Sequence, residues 1–276
     1  MVFTNAHHHL ADLCKYLQQE PAILVTVEAS RGSVPRDAGT WMAVFSTSLT
    51  GTIGGGHLEY EAISKARAML HSRAPTAEAR GRFALGPSLG QCCGGVVDLV
   101  FQTINTSDLP SLIRRLQPPA SPVALFGGGH VGHAVARVLV NLPFALTWID
   151  SREGVFPDPV PANVVCEYSD PVQTAVPHLQ PGSRVLIMSF SHAEDLDVVA
   201  ACLERQRKSA DLPYIGLIGS RTKWATFRQR LEARGFSPAE MASVTSPIGV
   251  PGIKGKEPDV IAIAVAAQLL QSVCQP

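Results

Sequence analysis

The sequence lacks a surplus of charge of either sign, and it lacks a long hydrophobic run. Its 23 basic and 23 acidic side chains balance to a formal net charge of zero, so the electrostatic footprint of a nucleic-acid-binding protein is absent. No apolar run approaches the ~18 residues needed to cross a bilayer, and the N-terminus has no secretory pattern. We therefore expect a cytoplasmic protein that binds neither nucleic acid nor membranes.

Cysteine is also scarce, and its spacing excludes several kinds of site. The six cysteines include no C-x-x-C pair and do not form a disulfide framework in a chain of 276 residues, so free thiols in a reducing compartment are expected. The Walker A lysine motif, H-E-x-x-H, G-x-S-x-G and a spaced cysteine quartet for zinc or iron–sulfur are absent. The hydrophobic content of 46% is sufficient for two domains with cores of their own.

Two of the cysteines are adjacent in a glycine-rich turn. Cys92 and Cys93 follow Gln91 and precede two glycines, and a strand-like run begins at residue 96. Glycine lets another group approach the backbone closely, and thiolates are soft metal ligands and good nucleophiles when their pKa is lowered. A buried cysteine is often only a small hydrophobe. Because these two are neighbours in such a turn, we favour a chemical role for them.

The first 105 residues predict a small α/β domain. A helix is expected at 7–20, with strands at 22–28 and 41–45, and the loop between the strands carries Arg31 and Arg36. A further turn, made of Gly54, Gly55, Gly56 and His57, opens an amphipathic helix. Free N–H groups at such a helix start bind anions well. A plain tight turn is the alternative, because Glu59 and Glu61 already complement the helix dipole.

Residues 106–121 are interpreted as a connection with at most a short helix, and residues 122–276 predict a Rossmann-like domain with a doubly wound parallel sheet. Gly127, Gly129 and Gly132 form G-x-G-x-x-G between a strand and a helix, and the next strand ends at Asp150. This context is the dinucleotide fingerprint. NAD(P) is a possible cofactor, although the same glycines would serve strand–helix packing without one. Because Arg152 lies beside Asp150, the sequence leaves open whether this site would bind a ribose 2′-hydroxyl, as in NAD, or a 2′-phosphate, as in NADP.

Ligands of open α/β sheets bind outside the carboxyl ends of the strands. The residues predicted at such ends are Gly129, His130, Asp150, His192, Ser220, Arg221 and Lys223. His192 is equally compatible with a helix-start hydrogen bond, and Arg221 and Lys223 with a solvated helix start. The pattern nevertheless predicts one crevice with basic and imidazole groups.

Six blocks, in order, extend over nearly the whole chain and resemble one family. They are residues 28–36, 51–59, 86–95, 126–132, 216–223 and 248–258. These motifs are similar to those of the xanthine dehydrogenase accessory proteins, the XdhC/CoxI family. The resemblance implies a carrier of molybdenum cofactor (molybdopterin) that protects its cargo during sulfuration and delivers it to apo-xanthine dehydrogenase. It also implies a cysteine desulfurase as second partner, a homodimer, and no catalytic turnover.

By this resemblance, Cys92 and Cys93 lie where the cofactor is held, with Cys93 slightly favoured as the molybdenum ligand. The pterin phosphate could lie on the turn that begins at Gly54, on Arg31 and Arg36, or at residues 127–132. Two other functions compete with this one. The first is an NAD(P)-dependent oxidoreductase that uses the Rossmann half, and the second is a scaffold that only docks the desulfurase to the dehydrogenase.

Overall fold

The structure, a computed structural model, describes residues 6–72, 77–85, 94–117, 120–161 and 163–273. The chain divides into two compact units, residues 1–118 and 119–276. Each unit has buried hydrophobic clusters made only of its own residues. Among the described residues, no helix has both the length and the apolarity to span a bilayer.

The first unit is an antiparallel sheet covered by helices on both faces. The sheet order is β3-β2-β1-β5-β4, and every pairing in it is antiparallel. The elements are α1 (Ala6–Leu17), β1 (Ala22–Arg31), β2 (Trp41–Val44), β3 (Leu49–Gly51), α2 (Gly56–Leu70), β4 (Glu78–Ala84), β5 (Val96–Ile104) and α3 (Leu109–Leu116).

The period of two along β1 explains why this central strand is apolar on both sides. Ile23 and Val25 face the cluster that includes Leu58 of α2, whereas Leu24 belongs to the opposite cluster with Leu13 of α1. Successive strand side chains point to opposite faces, and helices cover both faces here. A run without polar alternation is therefore what this position requires.

Two parts of the first unit differ from the sequence-based expectation. The segment interpreted as a connection contains the short helix that the sequence allowed, α3, after a 3₁₀ turn (Thr106–Asp108), but Leu112 and Leu116 are buried in the first unit's core. The polar composition of residues 73–81 predicts a loop, but β4 already starts at Glu78. It is an edge strand whose side chains alternate between exposed and half-buried, so its sequence lacks an apolar run.

The second unit is a parallel six-stranded Rossmann sheet, which confirms the predicted fold class. The order is β11-β10-β9-β6-β7-β8, so the chain starts centrally at β6, moves to one side, and returns to the other at β9. The elements are β6 (Ser121–Phe126), α4 (His130–Leu139), β7 (Phe144–Asp150), β8 (Val164–Tyr168), β9 (Arg184–Ile187), α5 (His192–Ser209), β10 (Tyr214–Leu217), α6 (Arg221–Ala233), α7 (Pro238–Met241), β11 (Val244–Thr245) and α8 (Pro258–Val273).

Both faces of this sheet are buried. Phe126 of β6 packs in the cluster that contains Val199 of α5, and Leu125 packs in the cluster that contains Val265 of α8. The sequence of residues 259–273 is apolar on all sides of a helix and predicts a fully buried α8, but Ile263 is 54% exposed, so only one face of this helix is covered. The switch point of the sheet lies between β6 and β9, and the residues that follow these two strands flank the crevice described next.

Candidate functional site

The glycine fingerprint after β6 has the geometry that its sequence context predicts. Gly127 has a φ of +121°, and a Cβ added there would lie 2.0 Å from the carbonyl oxygen of Met188. A Cβ at Gly132 would lie 2.0 Å from the carbonyl oxygen of Gly127, which also accepts a 2.9 Å hydrogen bond from the Trp148 indole. A Cβ at Gly129 would meet no atom within 4 Å. Two of the glycines therefore serve close packing, and the third leaves the start of α4 open to approach.

The carboxylate of Asp150 is buried at the end of β7 and is fully hydrogen-bonded. Its Oδ2 accepts from the backbone N–H of Gly128 at 2.5 Å and from Nη2 of Arg152 at 2.9 Å. Its Oδ1 accepts from the backbone N–H and the Nε of Arg152, each at 2.9 Å. The side chain of Asp150 is 1% exposed. This acid is thus held by its own loop, with four donors on two oxygens.

Burial raises the pKa of Asp150, but the hydrogen bonds from Arg152 and the Gly128 N–H outweigh it and hold the pKa below its usual range. The carboxylate also raises the pKa of Arg152 through the same bonds. The guanidinium of Arg152 lies 4.4 Å from the ring centre of Phe190, which is 64% exposed. Arg152 is therefore fixed from two sides, by a carboxylate and by an aromatic face.

A second ion pair joins the starts of α5 and α6, the helices that follow β9 and β10. Lys223 donates to Oδ2 of Asp195 at 2.6 Å and to the carbonyl of Ile218 at 2.9 Å. The other oxygen of Asp195 accepts from the backbone N–H of Ser189 at 2.7 Å. Lys223, whose side chain is 11% exposed, is thus a structural cation with two partners and not the solvated residue that one interpretation of the sequence allowed. Ser220 caps α6 by accepting from the Lys223 N–H.

The remaining residues predicted at this edge stand at helix starts and are exposed. His130 begins α4, His192 begins α5 and Arg221 begins α6. The ring of His192 is edge-on to Phe227 with centroids 6.3 Å apart. The topology brings these residues to one edge of the sheet, as the connectivity predicted.

In the first unit, the turn of Gly54, Gly55 and Gly56 already holds an anionic group. All three glycines have positive φ values. The Oε2 of Glu59 accepts from the Thr52 hydroxyl at 2.5 Å and from the backbone N–H groups of Ile53 and Gly55, at 2.9 and 3.1 Å. A phosphate on this turn would have to replace that carboxylate. The arrangement favours the plain structural turn over a phosphate site. His57 contacts Glu61 at 3.2 Å on the exposed face of α2.

Two motif segments of the first unit converge on the loop that follows β1 and lies between Arg31 and Arg36. A Cβ added at Gly54 would lie 2.6 Å from the side chain of Pro35, and one added at Gly95 would lie 2.5 Å from the carbonyl oxygen of Ser33. The triglycine turn and the end of the thiol turn therefore pack against the same short loop. Both arginines are exposed.

The thiol turn itself, with Gln91, Cys92 and Cys93, lies outside the described residues. Its two ends are joined, since the backbone N–H of Leu85 donates to the carbonyl of Gly95 at 2.7 Å. Within the described part of the chain, no group of three or more His, Cys, Asp or Glu side chains is arranged to hold a metal.

The described thiols are poor candidates for reactive groups. Burial raises the pKa of Cys14 and Cys166, and it raises the pKa of the fully buried Cys202 to about 12. A thiol must ionise to act as a nucleophile or a metal ligand. These three cysteines are therefore suited to packing.

Three of these features were not found from the sequence. They are the Arg152–Asp150 pairing, the Glu59 carboxylate in the triglycine turn, and the buried Asp195–Lys223 pair. The first had a signal, because the two residues are neighbours in sequence. Glu59 lies four residues after Gly55, but only the backbone path of the turn decides where its carboxylate lies. The last pair depends on two helices that are brought together by the sheet.

Comparison with known families gives two consistent matches. The model described as the XdhC Rossmann domain matches residues 123–269, and the model described as the XdhC and CoxI family matches residues 16–81. The first of these alone covers more than half of the chain.

Two known proteins are similar over nearly the whole chain. The uncharacterized protein YqeB of Escherichia coli (strain K12) is 27% identical over 257 residues, which are 92% of this chain and 44% of YqeB. The chain thus spans less than half the length of this relative. A crystal structure described as a xanthine dehydrogenase from Bacillus halodurans aligns with a TM-score of 0.76 and 18% identity, covering 96% of this chain and 95% of that one. At that identity the likeness concerns the fold.

Proposed function

Because the chain belongs to the XdhC and CoxI family, we propose that it is an accessory protein in the maturation of a molybdenum enzyme of the xanthine dehydrogenase type. In this proposal it binds molybdenum cofactor as cargo, protects it while it is sulfurated, and delivers it to the apo-enzyme. A cysteine desulfurase and the dehydrogenase are its partners, and the carrier acts in the cytoplasm as a homodimer without a reaction of its own.

The observation that carries the proposal is the convergence of the first unit's motifs on one loop. The Gly54 turn and the Gly95 end of the thiol turn both pack against residues 33–35, and Arg31 and Arg36 flank these residues. Cys93 precedes Gly95 by two residues in the sequence, and a thiol together with exposed guanidinium groups suits a ligand that has both a metal and an anionic group. Cys92 and Cys93 would supply the molybdenum ligand, and Gln91 would neighbour it.

Of the phosphate positions considered, the loop of Arg31 and Arg36 is the one we favour. The triglycine turn is occupied by the Glu59 carboxylate. The exposed guanidinium groups can reorient towards an incoming anion, because long arginine side chains are free to adopt several rotamers. The start of α4 at Gly129 is the remaining position, and it belongs to the other unit.

The proposal is tested by anaerobic purification of the full chain from cofactor-producing cells, followed by molybdenum analysis. Cys92→Ala with Cys93→Ala should lower the molybdenum content at least about tenfold, because two soft ligands are removed. Cys166→Ser is the matched control, since it removes one half-buried thiol from β8 and should retain wild-type loading. Equal loading of the double variant and the wild type would contradict the thiol site. Absence of molybdenum in every sample would contradict the carrier role.

The alternative of an NAD(P)-dependent oxidoreductase has one observation in its favour and one against it. The fingerprint glycines leave the start of α4 open, as a dinucleotide requires. The acid that should receive the ribose is, however, already saturated by Arg152 and Gly128. The residues do not fit a nicotinamide dinucleotide, so we derive no hydride-transfer step.

A further inference from the structure

The glycine fingerprint of a dinucleotide site is well formed, but the carboxylate that would bind the ribose is already hydrogen-bonded to Arg152. This mismatch points to a specific role for Arg152. In Rossmann domains that bind NAD, the acid at the end of the second strand accepts hydrogen bonds from the ribose hydroxyls. Asp150 is that acid by position, at the end of β7. Its accessibility therefore decides whether this crevice takes a dinucleotide.

Asp150 has no acceptor position left to offer. A carboxylate has about four lone-pair sites on its two oxygens. In this structure four donors occupy them, and three of the four come from Arg152. A ribose diol could gain a hydrogen bond only by displacing the guanidinium.

Displacing Arg152 is unfavourable for two reasons. Its bidentate pair with a buried carboxylate joins two opposite charges, whereas ribose hydroxyls would bring no positive charge to the same two oxygens. Its guanidinium also rests on the ring of Phe190, so leaving Asp150 would break this second contact. The ligand would lose more than it gains at this position.

The crevice also opposes the binding of a 2′-phosphate, the group that distinguishes NADP(H) from NAD(H). Besides Asp150, the carboxylate of Glu194 lies near Arg152, where it accepts a 2.8 Å hydrogen bond from Ser151 and acts on the guanidinium electrostatically. A phosphate dianion would meet two carboxylates and one cation that is already paired. The local charge therefore opposes NADP(H) as well.

We infer that Arg152 is the residue that excludes nicotinamide dinucleotides from this Rossmann crevice, by occupying the acceptor positions of Asp150 that a ribose would use. Removing the guanidinium leaves Asp150 with the backbone donors of Gly128 and Arg152, which is the state that ribose hydroxyls complete. A single substitution of Arg152 should therefore allow the crevice to bind a nicotinamide dinucleotide. This inference does not depend on the cargo of the first unit.

The test is calorimetric titration of the full chain with NADH and NADPH. The wild type should show no saturable binding up to about 1 mM NADH, whereas Arg152→Ala should bind NADH at least about tenfold more tightly than that limit. NADPH should bind Arg152→Ala more weakly than NADH, since Asp150 and Glu194 then lack their cation. Adding Asp150→Asn to Arg152→Ala should abolish the gain, because it replaces the acceptor that reads the ribose.

Two further variants control for the loss of any paired arginine and for misfolding. Arg234→Ala removes another arginine paired with an aspartate, Asp197, at the far end of α6, and it should behave as the wild type. Arg152→Lys keeps the charge but lacks the fork, so it should bind NADH between the wild type and Arg152→Ala while preserving the fold. Saturable NADH binding by the wild type overturns the inference. So does a failure to bind NADH by both Arg152 variants when circular dichroism shows that they are folded.

Discussion

At the scale of single residues, the two halves of the glycine fingerprint perform different tasks. Gly132 is required for packing, because its missing side chain leaves room for the carbonyl of Gly127. Gly129 has ordinary backbone angles and open space beside it, so its missing side chain is relevant only to what approaches from outside. The Rossmann fold therefore requires a glycine at position 132, whereas the glycine at position 129 is relevant only to the binding of a ligand.

Substituting these two glycines should separate the tasks. Gly132→Ala should lower the free energy of unfolding by about 3 kcal/mol, because its Cβ would overlap backbone that cannot move aside. Gly129→Ala should lose less than about 1 kcal/mol, the cost of a poorer helix N-cap. Urea denaturation followed by circular dichroism measures both. Equal losses would show that the close approach at Gly132 is relieved by a backbone shift.

The sequence could identify the residues of the crevice but not their pairing. The position of Asp150 after β7 follows from strand spacing, and the structure has it at that strand end. The neighbouring positions of Asp150 and Arg152 allow their pairing, but they do not show that the guanidinium turns back onto the carboxylate. The guanidinium also lies on the Phe190 ring, 38 positions further along the chain, and this long-range contact leaves no local pattern in the sequence.

At the scale of elements, strongly patterned segments were predicted well and weakly patterned ones were missed. Strands β6, β7, β9 and β10 are mostly apolar and buried, and the apolar runs 123–126, 145–149, 184–188 and 214–218 predict them. Strand β11 has only two residues and was not predicted. Such a short strand forms because β10 offers it a paired edge, so its signal lies in tertiary structure.

A surface pairing between two helices makes one element sensitive to acid. Glu240 accepts from Arg207 of α5 and closes the capping box of α7 with Ser237. The Arg207 hydrogen bond, followed by the N–H and hydroxyl of Ser237, lowers the pKa of Glu240 to about 2. The unfolded-state pKa is about 4.3, so the folded state is favoured by the ionised group. This contribution is present above pH 4.3 and is lost as the pH falls through 2.

Replacing this carboxylate should therefore change stability in a pH-dependent way. Glu240→Gln should lower the urea midpoint at pH 7, and the difference from the wild type should shrink as the pH falls from about 4.3 towards 2. Glu232→Gln, an exposed carboxylate on α6, should leave the midpoint unchanged across the same range. High salt should reduce the effect at pH 7, because the pair is at the surface. A pH-independent loss would attribute the effect to helix capping alone.

At the scale of the whole molecule, the two units have separate cores, and the first unit ends at residue 118, inside the segment that the sequence presents as a connection. The proline-rich composition of residues 106–121 predicts a connection, but α3 buries Leu112 and Leu116 in the first unit. The apolar side chains of Leu109, Leu112, Ile113 and Leu116 have helical spacing, so the sequence is compatible with a short helix here but does not show what this helix covers. Its burial becomes evident only when α1 and the sheet are in place.

Fragments of the chain test this division directly. Residues 120–276 should unfold cooperatively on their own, since they contain the complete parallel sheet and both of its hydrophobic clusters. Residues 1–117 should do the same, whereas residues 1–105 lack α3 and should be less stable by roughly 3–5 kcal/mol, the burial of two leucines. Urea denaturation of the three fragments decides between the possibilities. If the 1–105 fragment were as stable as the 1–117 fragment, α3 would be an appendage of the first unit and not a part of its core.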